Sequence, residues 1–480
     1  MEEHVHFIGI GGSGLSAIAS VLMQRGFVVS GSDRIASQAT QQLEANGIKI
    51  FIGHRAENIA GANLVIRSSA VQDDNVEVQA AWNAGVRLLK REDYLLELTK
   101  GQQTIAVAGT HGKTTTTAMI AWSLQALDED PSFVIGGMSP DLGGNAHAGQ
   151  GRYFVIEADE YDHMFLGLRP WISVVTNVEH DHPDCYPTYQ DFMRAFESFV
   201  DRIQPGGTLV ACADDPGAAS LLKRAELRDL RSVSYSLQSP TASYRAVNLR
   251  QNQAGGYTFE LQHNGITLVN SVSLILPGLH NVLNAVAALS VVDNIGLPLE
   301  IAAGRCGEFR GVARRFEVRG EVGGVTIIDD YAHHPTEIKA TLAAARSRFD
   351  KQRIWAVWQP HTYSRIRALM SQFLGAFEDA DNIVITEIYA ARESKPEDGF
   401  SGDQIAQELR KKWSDGSKAI FFESELRSTG DFLISELKPG DVLLVLSAGD
   451  ADRISTQVLN GLLAAQAASL PGSKKSNSAL

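Results

Sequence analysis

The run Thr104-Ile105-Ala106-Val107-Ala108-Gly109-Thr110-His111-Gly112-Lys113-Thr114-Thr115 constrains the fold more than any other part of the chain. Its apolar first half reads as a strand buried on both faces. A glycine turn follows, and a helical stretch starts at once. Strand, glycine turn and helix in that order call for a parallel sheet covered by helices. The turn departs from the eight-residue phosphate loop G-x-x-x-x-G-K-[ST], with only two residues between Gly109 and Gly112. Its mechanics are the same. Glycines let backbone N–H groups face phosphate oxygens, and the helix start adds its positive end. Lys113 then brings a point charge to the β- and γ-phosphates, and the Thr114 hydroxyl suits Mg²⁺.

The same alternation of strand and helix runs through three α/β blocks. At 480 residues the chain exceeds what one hydrophobic core organises, which fits several domains. The expected boundaries are 1–100, 101–315 and 316–465, with 466–480 as a disordered tail. In the first block Val5–Ile8, Val28–Asp33 and Leu64–Ile66 read as strands, with a helix over Ser16–Arg25. In the second, Tyr153–Ile156 and Ile172–Thr176 join the strand at 104–108. Between about 230 and 275, strands broken by Gly and Asn suggest a small antiparallel insertion. The third block carries strands at Thr326–Ile328, Ile354–Trp358, Ile383–Thr386, Ala419–Phe422 and Val442–Leu446, a second open parallel sheet.

Polar residues gather just after these strands, where a parallel sheet opens its ligand crevice. Tyr153-Phe154-Val155-Ile156 ends in Glu157-Ala158-Asp159-Glu160, which brings Glu157 toward the phosphates as a candidate Mg²⁺ ligand beside Thr114. Asn177-Val178-Glu179-His180-Asp181-His182 follows the next strand, and beside a nucleotide loop it reads as a second divalent-ion site. A closed zinc site fits less well, because no cysteine stands suitably to complete it. At the start of the chain, Gly9-Ile10-Gly11-Gly12-Ser13-Gly14 satisfies G-x-G-x-x-G, with Asp33 about twenty residues on. That pattern signals a diphosphate at a helix N-terminus. Both NAD and a UDP-sugar offer one, and the motif does not separate them. Three further stretches are Arg314-Arg315, Asp329-Asp330-Tyr331-Ala332-His333-His334-Pro335 and Gln359-Pro360-His361-Thr362-Tyr363-Ser364-Arg365-Ile366-Arg367. Arginine there suits a carboxylate, to which its planar fork donates two parallel hydrogen bonds.

A net charge of −13 argues against a general affinity for nucleic acid or acidic membranes. The three cysteines, Cys185, Cys212 and Cys306, are too few and scattered for a disulfide framework. No apolar run approaches the roughly 20 residues that span a bilayer, so no membrane insertion is expected. The acidic start Met1-Glu2-Glu3-His4 is unlike a signal peptide, and a cytoplasmic protein is expected.

Taken together, these segments resemble the Mur ligases, ATP-dependent amide ligases that build the peptidoglycan peptide. The resemblance rests on G-T-H-G-K-T-T, E-A-D-E, the N-x-E-x-D-H segment, Leu276-Pro277-Gly278-Leu279-His280-Asn281-Val282-Leu283-Asn284-Ala285 and D-D-Y-A-H-H-P. It covers about residues 4–465. It implies a three-domain architecture: a Rossmann-like domain for the UDP-sugar, a central P-loop ATPase-type domain, and a Rossmann-like C-terminal domain for the amino acid. H-F-I-G-I-G-G-S-G, Gly31-Ser32-Asp33 and Q-P-H-x-Y-S-R resemble the member that adds L-alanine. The implied reaction is ATP-dependent ligation of L-alanine to the lactyl carboxylate of UDP-N-acetylmuramate through an acyl phosphate. The runner-up is a murein tripeptide-recycling ligase acting on the same nucleotide sugar.

By that resemblance Gly109, Thr110, His111, Gly112, Lys113, Thr114 and Thr115 bind ATP, with His280 and Asn284 at the adenine and Asp330 near the ribose. Thr114, Glu157 and His182 hold Mg²⁺ or Mn²⁺, and Lys113, Glu157 and His182 form the catalytic set. Gly9, Gly11, Gly12, Gly14, Ser32 and Asp33 take the UDP-substrate. Arg314, Arg315, His334, His361, Arg365 and Arg367 face the nucleotide or the amino acid. Two features depart from the family. Thr362 stands where many L-alanine-adding members carry Arg. Ala195-Phe196-Glu197-Ser198 has no lysine where other members carry a carbamylated one, so no carbamate is expected. A monomer or homodimer is expected.

Overall fold

The computed structural model describes residues 3–391 and 393–469. Its residues form two compact units, one up to Ala313 and one from Arg314.

The first unit contains two sheets. The strands β1 (His4–Ile8), β2 (Val28–Asp33), β3 (Lys49–Ile52), β4 (Leu64–Arg67) and β5 (Arg87–Lys90) form a parallel sheet in the order β3-β2-β1-β4-β5. The chain leaves β1 toward β2 and later returns on its other side to β4. The C-terminal ends of β1 and β4 therefore flank a topological switch point. β1 sits in the middle because Val5, Phe7 and Ile8 are apolar on both faces and fully buried.

The second sheet has ten strands. They are β6 (Gln103–Ala108), β7 (Ser132–Ser139), β8 (Gly144–His147), β9 (Tyr153–Glu157), β10 (Ile172–Val175), β11 (Thr208–Cys212), β12 (Arg231–Ser236), β13 (Tyr244–Gln251), β14 (Tyr257–His263) and β15 (Ile266–Ser273). Their order is β15-β14-β13-β12-β11-β10-β6-β9-β7-β8. β6 lies between β10 and β9, parallel to both, with Ile105, Ala106, Val107 and Ala108 fully buried. The antiparallel strands expected at 230–275 are not a separate insertion. β12 is parallel to β11 and to β13, and β13–β15 then extend the same sheet as antiparallel hairpins. An open strand edge presents unpaired N–H and C=O groups, and this extension pairs the end of β12, at Tyr235 and Ser236, with β13.

The second unit is built on β16 (Glu317–Val322), β17 (Val325–Asp330), β18 (Ile354–Trp358), β19 (Asn382–Ile385), β20 (Ala419–Phe422) and β21 (Val442–Leu446), in the order β16-β17-β21-β18-β19-β20. All pairs are parallel except β16 with β17. Alternate residues of β18 feed two cores: Ile354, Ala356 and Trp358 on one face, Trp355 and Val357 on the other. The last helix, Asp452–Ser469, runs past residue 466, where the tail was expected to begin. Residues 470–480 of that tail lie outside the described residues.

Candidate active site

In the first unit every polar cluster picked out above stands at the C-terminal end of a parallel strand. β6 leads into the turn at 109–112 and the helix Lys113–Gln125. Gly112 has φ +80°, and a β-carbon there would lie 2.8 Å from Asn284 Oδ1. Only glycine combines that backbone with so close a neighbour. The turn is pinned from β10's loop: His111 N–H donates to Asn177 Oδ1 at 2.8 Å, and Thr110 Oγ1 donates to the Glu179 carbonyl at 2.8 Å. His111 Nε2 lies 2.9 Å from Glu179 Oε2.

Lys113 folds back over its own loop. Its ammonium donates to the carbonyls of Gly109 at 2.5 Å and Thr110 at 3.2 Å, and to Glu160 at 2.9 Å. Burial pulls its pKa down, but Glu160, Asp159 and Glu157 together outweigh burial and hold it raised. Glu160 is almost wholly buried, which would raise its pKa; Lys113 and then His182 reverse that and lower it. His182 Nε2 is 3.5 Å from Glu160, so this carboxylate links the loop lysine to the histidine. Thr114 Oγ1 donates to Glu157 Oε1 at 3.0 Å, and Gly136 N–H donates to the other oxygen at 2.7 Å. A hydroxyl and a carboxylate side by side at a phosphate loop are the oxygen donors that Mg²⁺ takes, so these residues fit the ion.

Behind this loop, Asn284 is buried in the helix Leu279–Asn294. It accepts from Thr116 Oγ1 at 3.1 Å and donates to Asn281 Oδ1 at 3.2 Å. It braces the phosphate loop rather than reaching outward. His280, one turn earlier, is half-buried.

At the first sheet's switch point, the Ser32 carbonyl accepts from Gly9 N–H at 2.8 Å and Ile10 N–H at 3.0 Å. Asp33 Oδ2 accepts from Gly11 N–H at 2.8 Å. The acid expected at a ribose thus also fastens the glycine turn. The Ser32 side chain is a correction to the expected ligand set. It is fully buried and donates to Glu77 Oε2 at 2.5 Å, beneath the turn. Glu77 also accepts from Asn58 at 2.5 Å and meets His6 at 3.4 Å. Burial alone would raise the Glu77 pKa, but hydrogen bonds from His6, Ser32 and Asn58 leave it lowered.

In the second unit two guanidinium groups lie over the Tyr331 ring, Arg314 at 5.2 Å and Arg315 at 4.9 Å from its centre. His333 and His361 are 5.7 Å apart, and His361 Nδ1 is 3.1 Å from Arg365 Nη1. Three expected residues serve differently. Asp330 is buried and accepts from Phe316 N–H and Ala332 N–H, each at 2.7 Å, so its carboxylate organises backbone. Burial pushes its pKa up to about 6, against the pull of Arg315. His334 is fully buried and caps the helix Pro335–Phe349, its Nδ1 accepting from Thr336 N–H at 3.3 Å. Arg367 pairs with Asp398 at 2.6 Å, apart from the His361–Arg365 pair. Two helical positions rotate a side chain by about 200°, so Arg365 and Arg367 cannot share a face. Thr362 is the cap of the helix Tyr363–Leu374 at φ +62°, without a side-chain cap bond. Glu393 takes over, accepting from Tyr363 N–H at 2.6 Å and Ser364 N–H at 3.1 Å.

The sequence reading missed Glu77 and Glu393, and it left Glu160 without a role. Glu160 stood in view within the E-A-D-E run. Glu77 and Glu393 act through contacts 45 and 29 residues away, which no local pattern signals.

Residues 4–103 match the Mur ligase family, catalytic domain; 107–292 match the Mur ligase middle domain; and 314–449 match the Mur ligase, glutamate ligase domain. A UDP-N-acetylmuramate–L-alanine ligase of Geobacter sp. is 42% identical over 464 residues, covering 97% of this chain and 98% of that protein. The solved UDP-N-acetylmuramate–alanine ligase of Thermotoga maritima superposes with a TM-score of 0.81 at 29% identity, covering 96% and 99% of the two chains. A murein peptide ligase from Psychrobacter arcticus gives 0.70 at 26% identity, covering 96% and 98%.

Proposed function

The chain belongs to the Mur ligase family, and from that premise we propose that it joins L-alanine to the lactyl carboxylate of UDP-N-acetylmuramate, with ATP cleaved to ADP and phosphate. The observation that carries this reading is full-length similarity, at 42% identity, to a ligase of that specificity, over a phosphate loop built for a nucleotide. The reaction belongs to peptidoglycan synthesis. Its use of ATP and a nucleotide sugar, both made inside the cell, places the protein in the cytoplasm. No helix among the described residues is long and apolar enough to cross a membrane.

A carboxylate resists an amine because oxide is a poor leaving group. The lactyl carboxylate oxygen therefore attacks the γ-phosphorus of ATP, the bond to the β,γ-bridging oxygen breaks, and ADP leaves. The resulting acyl phosphate has phosphate as its leaving group. The neutral amine of L-alanine attacks the acyl carbon, the tetrahedral adduct loses phosphate with the C–O electron pair, and the amine proton passes to the released phosphate or to water. Lys113 exchanges its loop carbonyls for the β- and γ-phosphates and neutralises charge as the phosphoryl group moves. Thr114, Glu157 and His182 would hold Mg²⁺, which when bound would supply positive charge to offset that of the phosphates. Asp33 and Ser32 keep the glycine turn shaped for the diphosphate. Arg365 with His361, and Arg314 and Arg315 around Tyr331, supply the cationic side for the incoming carboxylate.

The test is phosphate release with UDP-N-acetylmuramate and ATP, comparing L-alanine, glycine, L-serine and the murein tripeptide. L-Alanine should give the highest kcat/KM. A clear preference for the tripeptide would replace this reading with the recycling ligase, and no acceptor-dependent release would remove both.

A further inference from the structure

The helix Tyr363–Leu374 carries Arg365 and begins two residues after His361, yet its own cap residue does not cap it. Thr362 holds that position, where threonine ordinarily accepts from the first backbone N–H groups. Here it has φ +62° and ψ 138°, and its side chain makes no cap bond. A β-branched residue at positive φ is strained, and such a backbone persists only where neighbours hold it. The contacts that hold it come from Tyr389 and Glu393, which follow β19.

Tyr389 grips the chain on both sides of His361. Its N–H donates to the Pro360 carbonyl at 2.8 Å, and its carbonyl accepts from Thr362 N–H at 2.9 Å. His361 and Tyr389 thus form a single parallel bridge beyond the paired ends of β18 and β19. Their rings are stacked, with centres 5.6 Å apart and planes 22° from parallel. Gly449 leaves room for the tyrosine, since a β-carbon there would lie 2.7 Å from Tyr389 Cγ.

Glu393 does what Thr362 does not. Its Oε2 accepts from Tyr363 N–H at 2.6 Å and Ser364 N–H at 3.1 Å, and its Oε1 accepts from the Ser364 hydroxyl. These are the first two N–H groups of the helix, where the dipole favours a negative charge. The turn between His361 and Arg365 is fixed by these bonds, and it sets the 3.1 Å contact of His361 Nδ1 with Arg365 Nη1. Guanidinium nitrogens only donate, so Nδ1 accepts and a neutral His361 keeps its proton on Nε2.

We propose that Glu393 is a positioning residue for the amino-acid side of the reaction. From a loop distant in sequence it caps the helix Tyr363–Leu374 and holds His361 and Arg365 in the geometry that receives the carboxylate of L-alanine. Tyr389 shares the task by fixing the strained turn before the helix. The inference rests on the reading that His361 and Arg365 face the incoming amino acid.

The test uses the full chain and the variants Glu393→Ala, Glu393→Gln and Val458→Ala. Phosphate release gives KM for L-alanine, ATP and UDP-N-acetylmuramate, and thermal melting follows the fold. Val458 is fully buried in the core on the opposite face of this sheet, so its truncation is the control for general loosening. Glu393→Ala should raise KM for L-alanine about fivefold or more, the worth of one helix cap, while KM for ATP and UDP-N-acetylmuramate hardly moves. Glu393→Gln should recover part of the loss, since its amide oxygen still accepts but without the charge. Val458→Ala should lower the melting temperature and leave KM for L-alanine in place. An equal rise in KM for all three substrates in Glu393→Ala would make Glu393 merely structural and overturn the proposal. So would an unchanged KM for L-alanine, or one raised as far by Val458→Ala. If Glu393→Ala fails to fold, Glu393→Gln decides in the same way. Parent protein without alanine-dependent phosphate release would instead refute the functional reading; an active parent with unaltered Glu393 variants refutes this inference alone.

Discussion

Removing one member of a buried ion pair leaves the other charge poorly compensated, so Lys113 and Glu160 test fold and chemistry together. Glu160 is 1% exposed and Lys113 13%, and they meet at 2.8 Å. Lys113→Ala should lower stability by about 3–5 kcal/mol, because the buried Glu160 carboxylate is left with only the longer contact to His182, at 3.5 Å, to offset its charge. It should also cost about 10²–10³ in kcat, as expected of a stabiliser of the transferring phosphoryl. Adding Glu160→Gln should separate the two effects: melting recovers, since a neutral amide tolerates burial, but turnover does not. Thermal melts and phosphate release on both variants check this. If the double variant regained activity, Lys113 would be acting through the fold, and its place on the phosphates would be wrong.

At the scale of elements, the polar ends of β6, β9, β10, β17 and β18 could be read from the sequence because an apolar run followed by acids or histidines is a local pattern. What those residues do was less legible. Asp330 and His334 sit in a stretch that looks like a ligand-facing loop, yet one fastens backbone at β17's end and the other caps the next helix. A side chain's direction depends on the neighbour that packs against it, which spacing alone does not record. β16 went unread because Glu317-Val318-Arg319-Gly320-Glu321-Val322 is short, polar and pairs antiparallel at an edge. Asp329, on β17, illustrates the cost of such an environment. Burial pushes its pKa from 3.8 up to about 6, with Ser455 and then Arg319 opposing. The folded state thus binds a proton the unfolded chain has already lost between about pH 4 and 6, so this group's contribution to stability falls as pH rises through that window. Above it, the ionised form costs on the order of 3 kcal/mol. Asp329→Asn keeps an acceptor for Ser455 and removes the charge. Its melting temperature should exceed the parent's at pH 7.5, with the gap closing toward pH 4.5. A gap that does not change with pH would rule out titration of Asp329 as its source.

At the scale of the whole molecule, the sequence divides residues 1–100 from 101–315, but one hydrophobic core runs through both. Val5, Phe7, Leu15 and Ile18 from the first sheet's layer belong to one continuous cluster with Ile105, Phe133 and Phe154 of the second. Arg25 donates to the Leu98 carbonyl at 2.6 Å and lies over the Phe154 ring at 5.5 Å. The unit from Arg314 has cores of its own on the two faces of its sheet. Cooperative unfolding follows shared cores, because apolar surface exposed in one layer must be paid for by the other. A chain ended at Ala313 should therefore melt in a single transition seen alike by near- and far-ultraviolet circular dichroism. It should bind UDP-N-acetylmuramate and ATP by calorimetry but release no phosphate on adding L-alanine, because His361 and Arg365 are gone. A chain ended at residue 100 loses the second layer under its first helix and should show no cooperative transition. If the shorter chain instead melted sharply and bound UDP as tightly as the longer one, the first sheet would be an independent domain, and the shared core would be packing without thermodynamic consequence.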